Sequence, residues 1–214
     1  MTTVGERIER MVSAGKISAE EGDRLLRANA EAPPRVPLWN PFYRFGGGPA
    51  ALAGLLVAVL GLAVSRLGVR FDGFLDLHVA RATPSLPTAL FDQLVGWCLP
   101  ASVFWGYALV FNRRVRAIDF LGMVGLSRAV LVLVAPLLAS LTRGMQLPPP
   151  GSAPNPTLAL VAVVALVALV GYLTLLFQGF KHATGFNGRR LALGFGAMAL
   201  LSEVLSKLAL VALG

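Results

Sequence analysis

Charge is what this chain has little of. Only 14% of its 214 residues are Asp, Glu, Lys or Arg, against roughly 25% in an ordinary soluble domain, and the missing charges are missing in blocks. None falls between Arg44 and Arg66, between Asp92 and Arg113, or between Arg143 and Lys181. A span needs about 20 apolar residues to cross about 30 Å of hydrocarbon, so three membrane helices are nearly forced. A soluble helical bundle is excluded, because no amphipathic face would be left to meet water. Cysteine is reduced to Cys98, which excludes an intrachain disulfide and reads as a buried, inert thiol. The first 30 residues are mixed-charge without an apolar h-region, so no cleavable signal peptide is expected.

Chemistry-bearing patterns are also missing. Hydrolysis inside hydrocarbon needs a nucleophile or an activated water, yet the spans hold no HExxH, no pair of aspartates, and no histidine to serve Ser127 or Ser202. The glycine-rich turn from Lys181 to Arg190 lacks GxxxxGK[ST], so it reads as a plain basic turn, with His182 a solvated loop histidine. No catalytic residue, cofactor or metal site is therefore expected. The net charge of +8 does not imply nucleic acid, because the basic residues sit in short loops beside the spans, where they orient a membrane protein.

What is present is a run of apolar segments. Two further spans carry isolated charges: one with Arg128, one with Glu203 and Lys207. The chain thus reads as an all-α polytopic membrane protein, a bundle of five transmembrane helices with an N-terminal helical hairpin and a small extracytoplasmic β-hairpin. Residues 1–30 form the cytoplasmic hairpin, 31–46 a Pro/Gly linker, and 47–214 the membrane domain, with spans at about 47–65, 90–112, 118–142, 157–179 and 190–213. Arg113, Arg114, Arg116, Arg189 and Arg190 set the topology: N-terminus in the cytoplasm, C-terminus outside, multi-pass in the cell (inner) membrane. Only Arg66, Arg70 and Arg81 in the first outer loop speak against it.

Several local signals refine this frame. Gly15 supplies a helix C-cap and Ser18-Ala-Glu-Glu21 a capping box between two short helices over residues 4–29. Trp39, Phe42, Tyr43 and Phe45 suit an interfacial aromatic belt. Ala50, Gly54 and Ala58 place small residues on one face of the first span, which reads as a packing seam. Apolar residues at 67, 69, 71, 75, 77 and 79 alternate about Asp72-Gly73, the signature of a tight β-hairpin, with an interfacial helix as the other reading. Asp76 and His78 share one of its faces, but two ligands do not make a metal site. Pro100 falls within the second span and is expected to kink it. Pro148 to Pro156 reads as an extended spacer loop.

Two resemblances rest on these residues. The stretch from Glu9 to Leu26, ERMVSAGKISAEEGDRLL, resembles the short helical hairpin module called SHOCT, which implies an interaction or oligomerisation element. Residues 40–213 resemble the prokaryotic branch of the YIP family of Ypt/Rab-interacting membrane proteins, through five spans and the junction from Trp105 to Gly125, WGYALVFNRRVRAIDFLGMVG. That resemblance implies a scaffold or adaptor without catalytic residues. The short N-terminus departs from the family's eukaryotic members and leaves a small-GTPase partner without support. The expected partners are membrane lipid and either a protein or a second copy met through the hairpin. The alternative function is a small oligomeric transporter or channel using Arg128, Glu203 and Lys207, since intramembrane charges are functional candidates. Counted from the two basic turns, Arg128 and Glu203 both lie about 16 to 20 Å deep, so they are expected to pair, with Lys207 snorkelling or sharing the carboxylate.

Overall fold

The computed structural model describes residues 4–30, 40–80, 82–143 and 155–213, which fall into two compact units dividing at Asn40 and Pro41. The first is a pair of helices, α1 (Val4–Ser13) and α2 (Ala19–Ala30). Its turn forms as the sequence requires. Gly15 takes φ +67, and Lys16 N–H reaches Met11 O at 2.9 Å while Gly15 N–H reaches Val12 O at 3.0 Å, the paired bonds of a Schellman ending. Ser18 Oγ accepts from Glu21 N, and Glu21 Oε2 accepts from Ser18 N, both at 3.1 Å, so the capping box is closed in both directions. Gly22 is where the helices touch: a Cβ there would lie 2.4 Å from Val12 Cγ2.

The second unit holds α3 (Gly47–Ser65), α4 (Leu86–Phe111), α5 (Ala117–Ser127), α6 (Ala129–Thr142), α7 (Pro156–Thr184) and α8 (Gly188–Leu213). Arg128 alone separates α5 from α6. Its backbone stays helical at φ −63, ψ −14, so the two run on as one 26-residue apolar stretch. Among the described residues five helices are then long and apolar enough to cross a bilayer. Their outward faces are apolar as well, with Leu52, Val167 and Val211 exposed, an arrangement water would penalise and lipid would not. The chain is a multi-pass integral membrane protein. Two helix ends lie outside the expected limits for local reasons. Ser85 Oγ caps α4 through Thr88 N–H at 3.3 Å, starting it at Leu86, and α7 continues to Thr184 until Gly185 turns it at φ +69. Pro100 lies inside α4, which continues past it.

The small-residue seam forms, and it is longer than expected. Ala50 and Gly54 are buried together with Val57 and Gly61, whereas Ala58 is only half-buried; α5 answers with Gly122 and Gly125. A Cβ on Gly54 would lie 2.9 Å from Gly125 Cα, and one on Gly122 would lie 2.6 Å from Ala50 Cβ. Backbone meets backbone here.

Four expectations are corrected. The β-hairpin reduces to two-residue strands, β1 (Val69–Arg70) and β2 (His78–Val79), with Val69 opposite Val79 and Arg70 opposite His78. The centre of that register is Phe74, not Asp72-Gly73, because residues 71–77 dip into the bundle, where Phe74 and Leu75 give their N–H groups to helix side chains. Phe42 is no part of an interfacial belt. The turn Pro41–Tyr43 buries it, and only Tyr43 and Phe45 stay exposed, so residues 41–46 belong to the membrane unit rather than to a linker. Cys98 is half-buried instead of enclosed. His182 sits in the last turn of α7, edge-on to Tyr43 at 5.8 Å. Trp39, residues 31–39 of the expected linker, Arg81 and most of the Pro148–Pro156 spacer lie outside the described residues.

Candidate functional site

Arg70, Asp72, Asp76, Asp92, Arg128, Glu203 and Lys207 gather where residues 66–80 meet the helices. Val69, Phe71 and Phe74 are the reason. Each is almost wholly buried, and burying one such side chain contributes roughly 1.5 to 3 kcal/mol. They carry polar backbone inward with them, and buried N–H groups must be satisfied. Phe74 N–H donates to Ser206 Oγ at 3.1 Å, and Leu75 N–H to Glu203 Oε2 at 2.8 Å. Gly73 permits the approach, since a Cβ there would lie 3.2 Å from Lys207 Cε and 3.4 Å from Glu203 Oε1.

Arg70 fastens the same segment to α4. Its Nε and Nη2 donate to Asp92 at 2.8 and 3.2 Å, and Asp92 is 2% exposed. The hydrogen bonds to Asp92 hold the Arg70 pKa above its ordinary value, against an opposing pull from desolvation.

Arg128, also 2% exposed, has an acceptor made for it by a proline. Pro100 carries no N–H, so the carbonyl of Gly96, four residues earlier on α4, loses its helical donor. Arg128 Nη1 donates to that carbonyl at 2.7 Å, and Nη2 donates to Gln93 Oε1 at 3.3 Å. Its guanidinium also faces the Phe71 ring, 5.6 Å from the centroid. Asp92 lies within electrostatic reach of both arginines. Gly96 must be glycine for this: a Cβ would come within 2.4 Å of Arg128 Nη1.

The expected pair of Arg128 with Glu203 does not form. Both side chains have other partners, given above, because equal depth does not make two groups face each other. Lys207 stays within electrostatic reach of Glu203 but makes its ion pairs elsewhere. Its ammonium binds Asp76 Oδ2 and stands 3.8 Å from Asp72 Oδ1, while His78 Nδ1 lies 3.0 Å from the same Asp72 oxygen. Ser127 donates to Met123 O at 2.7 Å. The hydroxyls of Ser202 and Tyr172, wholly buried, have no hydrogen-bond partner among the described residues.

The topology arginines collect at the opposite end of the unit. Arg113, Arg114 and Arg189 are exposed. Arg116 Nε and Nη2 each donate to Asp119 at 3.0 Å, and those bonds raise the Arg116 pKa. Arg190 lies over the Phe111 and Phe186 rings at 4.7 and 5.7 Å, which brings the α4–α5 and α7–α8 turns together. A cavity of about 200 Å³ opens beside them, lined by Gly47, Arg116, Asp119 and His182 among others. Gly47 begins α3, so that helix starts at this same end.

No family model, curated protein or solved structure matches the chain. The geometry of the site is therefore the ground on which a function is argued. Sequence reasoning missed Asp92, Gln93, Gly96 and Ser206. Two signals for them were available: a proline four residues after a glycine, and an aspartate at the mouth of an apolar run.

Proposed function

We propose that the chain is a non-catalytic membrane scaffold or adaptor of YIP type in the cell (inner) membrane. Its N-terminal hairpin, of SHOCT type, is the cytoplasmic docking element, for a protein partner or a second copy. The observation that supports this reading is the use made of the bundle's charges. Arg70, Arg128, Glu203 and Lys207 each take a partner within the same polypeptide: Arg70, Glu203 and Lys207 brace one loop against the helices and Arg128 ties its helix to α4, as expected of a rigid platform. A transport path would instead line its route with groups free to meet a solute.

The hairpin buries little, chiefly Ile8, and so small a pair of helices gains stability from a partner. Deleting residues 1–30 is expected to leave membrane insertion and the melting temperature of the bundle unchanged. What is lost is crosslinking to a partner or to a second copy in native membranes. Rapid degradation of the shortened chain would show that the hairpin is part of the core. Solute flux through liposomes holding the purified full chain would overturn the scaffold reading in favour of a transporter.

The sidedness has its own test. Reporter fusions are expected to place the N-terminus in the cytoplasm and the C-terminus outside, because the basic turns and the start of α3 share one end while five spans separate the termini. Two cytoplasmic signals would contradict it.

A further inference from the structure

We propose that Asp72, Asp76 and His78 form a binding site for a divalent transition-metal cation, Zn²⁺ or an ion of like preference, in which the metal takes the place now held by the Lys207 ammonium. One ligand atom from each residue lies within 4.8 Å of the other two. Ligand atoms on one tetrahedral zinc ion lie about 3.5 Å apart, given bonds of about 2.0 to 2.2 Å, so the farthest pair must close by up to about 1.3 Å, a movement within the reach of side-chain rotation. An imidazole beside two carboxylates is a donor set that suits zinc, iron or manganese and is foreign to calcium and magnesium.

Charge argues in the same direction. Asp72, Asp76 and Glu203 bring three carboxylates to a cluster in which Lys207 is the cation. Arg70, bound to Asp92, is the other cation within reach of Asp72, and counting that pair the carboxylates there still outnumber the cations. Asp72 Oδ1 is the shielded one: it is shut off from water and receives no hydrogen bond among the described residues, with His78 Nδ1 3.0 Å and the Lys207 ammonium 3.8 Å away. A shielded carboxylate oxygen without a donor costs free energy that a bound cation removes.

The frame is already assembled. Residues 71–77 are clamped at their ends by the β1–β2 pairing and at their centre by Ser206 and Glu203, so the three donors come from one short, held loop. Lys207 stands at the cluster on a flexible stem, 38% exposed, and such a side chain can withdraw its ammonium to water when a metal enters.

Metal-stripped full-length protein, purified in detergent, is titrated with Zn²⁺ by calorimetry and with Co²⁺ by visible absorption. The expected result is one saturable site and cobalt d–d bands. His78→Ala and Asp72→Asn are each expected to weaken it at least tenfold, and Lys207→Met to tighten it by removing the competing cation. Lys207→Met also removes the bond to Asp76 that helps hold the loop, so His78→Ala, a change at an exposed side chain, carries the decision. Zn²⁺ binding that His78→Ala leaves unchanged, or no saturable binding to the wild type up to 1 mM, overturns the proposal.

Discussion

Gly125→Val is expected to remove nearly all folded protein from the membrane. A Cβ at position 125 would lie 2.7 Å from Gly54 Cα and 2.7 Å from Trp97 Nε1, and neither neighbour can yield. The first is the backbone of α3. The second is held by its hydrogen bond to Leu121 O at 2.8 Å. Ordinary overpacking costs about 1 to 3 kcal/mol, and forcing two helix backbones apart along a whole seam belongs at or beyond the upper limit. Gly106→Val is the control, since nothing lies within 4 Å of its missing Cβ. Fluorescence-detected size exclusion and thermal melting should show a monodisperse, stable Gly106→Val beside a lost or aggregated Gly125→Val. Equal behaviour of the two would mean that α3 and α5 do not approach as described.

Arg128→Met is expected to destabilise the bundle by about 2 to 4 kcal/mol, and Pro100→Ala to restore at least half of that loss. The first change leaves the buried Gly96 carbonyl without any donor and Asp92 with one cation fewer, the kind of orphaning that makes breaking a buried polar contact expensive. The second change gives residue 100 an N–H that can donate to Gly96 in the ordinary helical way. In the wild-type background Pro100→Ala competes with Arg128 for that carbonyl, so the two substitutions should not add. Melting temperatures of the two single variants and the double variant complete the cycle. A double variant whose loss equals the sum of the single losses would sink the claim that the proline makes the arginine's acceptor.

Membrane character and span number were legible because both depend on the length of uncharged runs, a property of one dimension. Most span ends were legible to within a few residues; the end of α7 was not, because the expected span stops at Gly179 while the helix runs on to its cap at Gly185. The position of Arg128 along its helix was legible too. Its direction around the helix axis was not, since that depends on α4 offering a vacant carbonyl. The alternation from Leu67 to Val79 failed for a related reason: a hairpin lying on a surface and a loop inserted into a bundle share the same pattern. What distinguishes them is Glu203 and Ser206, residues far away in the sequence. The third member of the Asp72, Asp76 and His78 cluster was hidden by the same error, because alternation puts Asp72 at a turn rather than across from His78.

Residues 66–80 also have to wait. Synthesis delivers that segment before α4, and its donors Phe74 N–H and Leu75 N–H meet acceptors 132 and 128 residues later in the chain. Arg128 is in a different position, for Gly96 and Gln93 precede it and are in place when it arrives. The arginine can therefore be hydrogen-bonded as its helix enters, while the loop, tied to α4 by Arg70, keeps these two N–H groups unlatched until the three intervening spans are in and α8 arrives. The final helix is thus the bolt of the assembly: a nascent chain halted before it would pack Phe71 and Phe74 against the earlier spans but leave Phe74 N–H and Leu75 N–H without their acceptors.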